Sequence, residues 1–172
     1  ALAAYIIENI TGQDFTDYVH ENIFDRLGMK HTALKPDWRD NLWVKEKRGE
    51  MNAYLYFDTE KEDFGSCISN ILLYPAGAAA GTSSDFYLFA KALIPGNDTG
   101  LFKDPETLNK LYEPTLYYSK ADKVRNSHGF WTLEYCNTVY GHAGNTIGFT
   151  ASIWIDIENR TAIAVMSNEQ GE

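Results

Sequence analysis

Apolar residues recur at helical spacing along much of the chain and alternate along its last quarter. Leu2 to Asn9 reads as a first helix that stops at Thr11-Gly12. Asp14, with Asp17 three residues on, opens a second helix. Phe15, Tyr18, Val19 and Ile23 follow as its buried side, and Leu27-Gly28-Met29 closes it. Thr82 with Asp85 forms a capping box for a helix from Ser83 to Leu93, whose stripe is Phe86, Phe89, Ala90 and Leu93. Asp104 caps a further helix, Pro105 to Tyr112, with Pro114 beyond its end. The pattern then changes to strands: Gly129 to Tyr135, Thr138 to Tyr140, Thr150 to Ile157 and Thr161 to Ser167. Helices followed by antiparallel strands predict an α+β fold, and without a repeat or linker residues 1–172 are expected as one unit.

Residues 35–74 are less regular. Ala53 to Asp58 has strand character, and Thr59 to Asp63 reads as a polar turn. Trp38, Trp43, Tyr54, Tyr56 and Phe57 are scattered among charges there, as packing aromatics or as the wall of a cleft.

Composition narrows the function classes. Hydrophobic residues make up 44% of the 172, enough for a packed core. Acidic residues number 24 against 15 basic ones, a net charge of −9 that repels phosphate backbones and argues against nucleic acid as a partner. The four histidines, His20, His31, His128 and His142, lack metal-site spacing, so no metal and no cofactor is expected. Cys67 and Cys136 have neither metal nor redox spacing and are expected as buried thiols rather than a disulfide.

The richest chemistry lies in Gly141-His142-Ala143-Gly144, followed by Asn145-Thr146-Ile147-Gly148-Phe149. A polar, titratable side chain beside glycines at a strand edge suits a carboxylate or a polarised carbonyl. The plainer reading is a hairpin entry whose glycines serve turn geometry.

This run, the turn Glu158-Asn159-Arg160 and the strand Ile163 to Asn168 resemble the third active-site element of the serine β-lactamase and penicillin-binding superfamily. The class C β-lactamase, DD-peptidase and esterase branch is the most similar. Two more stretches agree, in family order: Ala4 to Thr32, with Thr11-Gly12 and Leu27-Gly28-Met29, and Pro75 to Phe89, with Gly81-Thr82-Ser83-Ser84-Asp85. The resemblance implies a partial β-lactamase/transpeptidase-like fold, with helices and a truncated antiparallel sheet that lacks N-terminal strands and a closing helix. It implies acyl transfer or hydrolysis of a β-lactam, a D-amino-acid peptide or an ester through an acyl-serine. His142 takes the place of the catalytic and substrate-binding Lys or His. Ala143 and Gly144 are implied in substrate binding, and the Asn145 backbone N–H as half of an oxyanion hole.

The resemblance further implies that the chain is the C-terminal portion of a longer serine hydrolase. No serine here has lysine three residues on, so the family's Ser-x-x-Lys is missing. The one Tyr-x-Asn, Tyr135-Cys136-Asn137, stands just before His142, out of family order. The chain alone is therefore expected to be inactive; a catalytically inactive cell-wall or peptide-binding relative is the alternative. An extracytoplasmic or cell-envelope location and a small-molecule or peptide substrate follow from the same resemblance. The strand Ala162 to Met166, apolar on both faces, is expected to leave an open sheet edge through which the isolated chain self-associates.

Overall fold

The computed structural model describes residues 1–58, 60–66, 71, 73–117 and 124–170. Helix α1 spans Leu2–Thr11 and ends on Gly12, whose φ of 70° is the left-handed geometry of a helix stop. Its N-terminus has no side-chain cap. The Asp14 carboxylate then accepts from the Thr16 and Asp17 N–H groups, opening α2 (Phe15–Val19). A π-helical turn, His20–Phe24, leads into α3 (Asp25–Leu27), so the expected single helix carries an extra residue per turn at its centre. Val19, Phe24, Met29 and Leu34 form a small core, against which Phe15 and Ile23 pack.

A two-residue strand, β1 (Thr32–Ala33), precedes helix α4 (Leu42–Gly49), which is capped by the Asn41 side chain. Helical periodicity is weak in this polar segment, and the sequence reading did not find it. Strand β2 (Tyr54–Phe57) falls where expected. The polar turn expected over Thr59 to Asp63 is instead largely strand β3 (Glu60–Asp63), paired antiparallel to β2. Its four residues are exposed, so no apolar alternation marks it. Strand β4 (Ala80–Gly81) pairs with β1.

Helices α5 (Ser83–Ala92) and α6 (Pro105–Leu111) start at Thr82 and Asp104 as predicted. The capping box of α5 is half-formed. The Thr82 hydroxyl accepts from the Asp85 N–H, while the buried Asp85 carboxylate turns away to accept from His31 N–H at 2.7 Å and the Thr32 hydroxyl at 2.8 Å. It thereby ties β1 to α5.

The main sheet has six antiparallel strands in the order β10-β9-β8-β7-β6-β5. They are β5 (Leu116–Tyr117), β6 (Val124–Ser127), β7 (Phe130–Glu134), β8 (Thr138–Thr146), β9 (Phe149–Asp156) and β10 (Thr161–Ser167). A last strand, β11 (Glu169–Gln170), joins β2 in parallel. Ile153 and Ile155 of β9 are buried against Ala90, Leu93, Ile94, Leu108 and Tyr112 of the α5–α6 region. The Tyr112 hydroxyl donates to the Leu93 carbonyl and locks that layer.

One expectation needs correction. Cys136 is exposed, in the bend between β7 and β8, where side chains have no layer to enter. Cys67 lies outside the described residues. No helix of the described residues is long and apolar enough to cross a membrane.

Asp40 anchors the helical layer. Its carboxylate accepts from Leu34 N–H at 2.8 Å, Lys35 N–H at 3.0 Å and His20 Nε2 at 2.9 Å. Burial pushes its pKa up, but the hydrogen bonds from His20, Leu34 and Lys35 together outweigh burial and hold it below the ordinary carboxylate value. A lowered folded pKa stabilises above the unfolded value and is lost as pH falls through the folded value. Asp40→Ala is expected to cost about 2–4 kcal/mol in urea denaturation at pH 7. That cost should shrink as the pH falls below ~4.

Among the described residues, strand β10 has one strand neighbour, β9. Ile163, Val165 and Met166 are exposed, by 66%, 54% and 41%, on a strand without charge or proline. Unguarded edges of this kind pair with other chains. Light scattering of the isolated chain should therefore rise with concentration, and Ile163→Lys should suppress the rise. Equal, concentration-independent masses for both proteins would refute edge pairing.

Candidate functional site

Nine residues long, β8 is paired unequally. On one side β9 accompanies it as far as Thr146, opposite Phe149. On the other, β7 accompanies it only as far as Gly141, opposite Trp131. From His142 to Thr146, β8 has no second strand neighbour among the described residues. Successive backbone groups of a strand point alternately to its two sides, so along this stretch every second N–H and C=O faces an edge that no strand of the described residues occupies.

The sequence reading ended the strand at Tyr140 and left the glycines open to a turn role. The strand instead continues through them, and each glycine has a different reason to be there. Gly141 is buried between aromatic neighbours. A Cβ there would collide with the Ile153 carbonyl oxygen and lie 2.6 Å from Cε3 of Trp154. Gly148 has φ of 72° and makes the hairpin turn into β9. A Cβ on it would lie 2.5 Å from the Ala53 Cβ. Gly144 has neither constraint: a Cβ would meet nothing within 4 Å, and its φ is not left-handed. Neither packing nor turn geometry asks for glycine at Gly144, which leaves a bare, exposed strand surface next to His142.

His142 is exposed on β8, one residue past the end of the β7 ladder. Its imidazole stacks on Trp131, with ring centroids 4.9 Å apart and planes 23° from parallel. Trp131 in turn stands 6.5 Å from Trp154, whose ring lies over Gly141. The sequence reading missed Trp131; alternation in β7 marks it only as an outward aromatic, and its meeting with His142 depends on register across two strands. Ala143 is half-buried, opposite Ser152. Asn145 is exposed, opposite Thr150. His142, Gly144 and Asn145 are thus brought together on one exposed strand segment. Tyr135-Cys136-Asn137 is the bend at the far end of β8, where the Asn137 amide donates to Asp156 at 3.0 Å.

Tyr140, two residues before His142, packs against Tyr112 in the core at 4.7 Å. Burial, with Glu158 and Glu134 nearby, raises its pKa against the pull of Arg125. It stays protonated at neutral pH and belongs to the core rather than to proton transfer. The other histidines stand apart: His20 binds Asp40, His31 lies 4.2 Å from Trp43, and His128 makes a turn with φ of 48°.

An imidazole that donates and accepts, a bare glycine and free strand amides form an arrangement able to hold a carboxylate and to polarise a carbonyl. No curated protein sequence matches the chain. Solved structures share its fold, among them the following three. D-amino acid amidase from Ochrobactrum anthropi SV3 is 23% identical at a TM-score of 0.73, over 99% of this chain and 48% of its own. The D-stereospecific amidohydrolase from Streptomyces sp. is 20% identical at 0.70, over 98% and 48%. The β-lactamase/D-alanine carboxypeptidase from Pseudomonas syringae is 14% identical at 0.73, over 98% and 52%. The chain spans about half the length of these neighbours and carries part of the β-lactamase/transpeptidase-like fold. The beta-lactamase family model matches residues 1–172 throughout, and the chain belongs to that family.

Proposed function

We propose that this chain supplies the substrate-binding strand of a serine hydrolase that works by acyl transfer. One observation carries the reading: an exposed histidine stands on a half-open strand beside Gly144, a glycine that the fold does not require. In the proposed reaction a serine oxygen supplied by the complete protein attacks the substrate carbonyl and loses its proton to a base. The carbonyl π electrons move onto oxygen; as they return, the bond to the amine or alcohol breaks and that group leaves with a proton. Water then cleaves the acyl-serine ester.

Each residue of β8 has a part in this scheme. His142 holds the substrate carboxylate and relays protons, since neutral imidazole both donates and accepts where a lysine would be a fixed cation. Gly144 lets the substrate lie against the strand. The Asn145 N–H, on the open edge, is one donor of the oxyanion hole; such a donor is worth about 3 kcal/mol in the transition state. Substrates with a carbonyl next to a carboxylate-bearing group suit this strand, which includes β-lactams and D-amino-acid peptides; simple esters would use the same oxyanion donor without the carboxylate contact. Location in the cell envelope is consistent with such substrates and is part of the proposal.

Because the chain has no Ser-x-x-Lys, it should not form a covalent adduct by itself. Mass spectrometry after incubation with a fluorescent penicillin is expected to return the unmodified mass. A stoichiometric adduct on any of its serines would overturn this division of labour. In the complete protein, His142→Ala should lower kcat/KM by roughly 10²-fold, the scale of a lost acid–base group, with the urea midpoint unchanged. If the variant instead lost folded protein while the folded fraction kept full specific activity, His142 would be structural. A complete protein with no hydrolytic activity, yet retaining peptide affinity, would favour the inactive binding relative.

A further inference from the structure

The β8 segment that carries Asn145 has a mechanical problem. Beyond Gly141 it is the edge strand of β10-β9-β8, and its last pair, Thr146 with Phe149, extends past the point where β10 ends at Ser167 opposite Thr150, as a hairpin tip with two strands only. A transition-state donor needs placement to within about 0.5 Å. Contacts from outside the sheet must hold this tip.

That tip is the turn Thr146 to Phe149, and three segments meet on it. Gly148 is pressed against Ala53 and Tyr54 at the start of β2. Its N–H donates to Oε1 of Gln170 on β11 at 3.3 Å. Arg48, in the last turn of α4, lies over Phe149, its guanidinium carbon 3.8 Å from the ring centroid. The other face of the contact is Trp38, at 5.3 Å, itself anchored by an indole N–H donated to the Ala78 carbonyl at 2.9 Å.

Arg48 is 7% exposed. Burying a guanidinium is costly unless its charge is matched, and aromatic faces match a desolvated cation well. Nη1 also donates, at a long 3.4 Å, to the Met51 carbonyl, which leads into β2. A methionine at this position would fill the space without a buried charge, and a lysine ammonium would be costlier to desolvate. The planar guanidinium spans Trp38 of the helical layer and Phe149 of the hairpin.

We propose that Arg48 is a positioning residue: by clamping Phe149 it sets the end of β8 and with it the Asn145 backbone. The catalytic part of this statement rests on the acyl-transfer reading above; the clamp itself does not. Phe149 is directly opposite Thr146, and Thr150 is opposite Asn145, so a shift of Phe149 moves Asn145 through the ladder.

Hydrogen exchange on the present chain tests the clamp without any substrate. In Arg48→Met, amides from Thr146 to Thr150 should exchange roughly tenfold faster, the scale of a lost desolvated cation–π contact. Amides of β6 and β7 should not change. Arg48→Lys should recover part of the protection, and Phe149→Leu should reproduce the loss from the other partner. If Arg48→Met does not fold, Phe149→Leu decides: unaltered protection from Thr146 to Thr150 would overturn the clamp. In the complete protein, Arg48→Met should lower kcat with little change in KM, and Arg48→Lys should restore part of it. Faster local exchange with unchanged kcat would overturn the positioning role. Loss of the acyl-transfer reading itself would show differently, as a His142→Ala variant with unchanged turnover.

Discussion

Everything at the candidate site depends on β8 being paired from Tyr140 to Thr146 on one side and only from Thr138 to Gly141 on the other. If β7 continued beside it past Gly141, the amides of the following residues would be consumed by the ladder. If β9 stopped early, those residues would be a loop, too mobile to hold a donor in place. A strand with one finished and one unfinished side is rigid and still has hydrogen-bonding capacity to spare.

Such a strand must be supported by its surroundings, and the chain supports it near its middle and at its C-terminal end. Near its middle, Gly141 makes room for the Trp154 ring, and Trp131 extends the same aromatic surface to His142. At its far end, Arg48, Ala53 and Gln170 converge on the hairpin turn. On the inner face Ile153 and Ile155 seat β9, the better-paired neighbour, on the helices. The exposed segment is thus the least-paired part of a well-anchored unit, a common arrangement where binding groups must face outward.

The likeness to solved structures agrees with this division. The shared fold covers nearly all of this chain and about half of theirs. Within that half the helical layer and sheet form their own cores, while β10 keeps an exposed apolar edge. Among the described residues this strand of Ala, Ile, Val and Met has one strand neighbour, a local imbalance between composition and surroundings.

By itself the sequence determined what is local. Caps at Asp14, Thr82 and Asp104, stops at Gly12 and Gly28, and the alternation of β9 are set by near neighbours, and they were legible. The order of helices then strands was enough for an α+β reading, and the run from Gly141 to Phe149 marked the strand to examine. Tertiary structure decided the rest, because the determinants are far apart in the chain. Polar α4 and β3 have little periodicity and exist through their partners. Which glycine serves packing, which serves a turn and which is left bare depends on Trp154, Ala53 and empty space respectively. The stacking of Trp131 on His142 follows from strand register, and the Arg48–Phe149 contact from the docking of a helix 101 positions earlier in the chain. Local propensity acts over a few residues, whereas the open side of β8 is defined by where another strand stops.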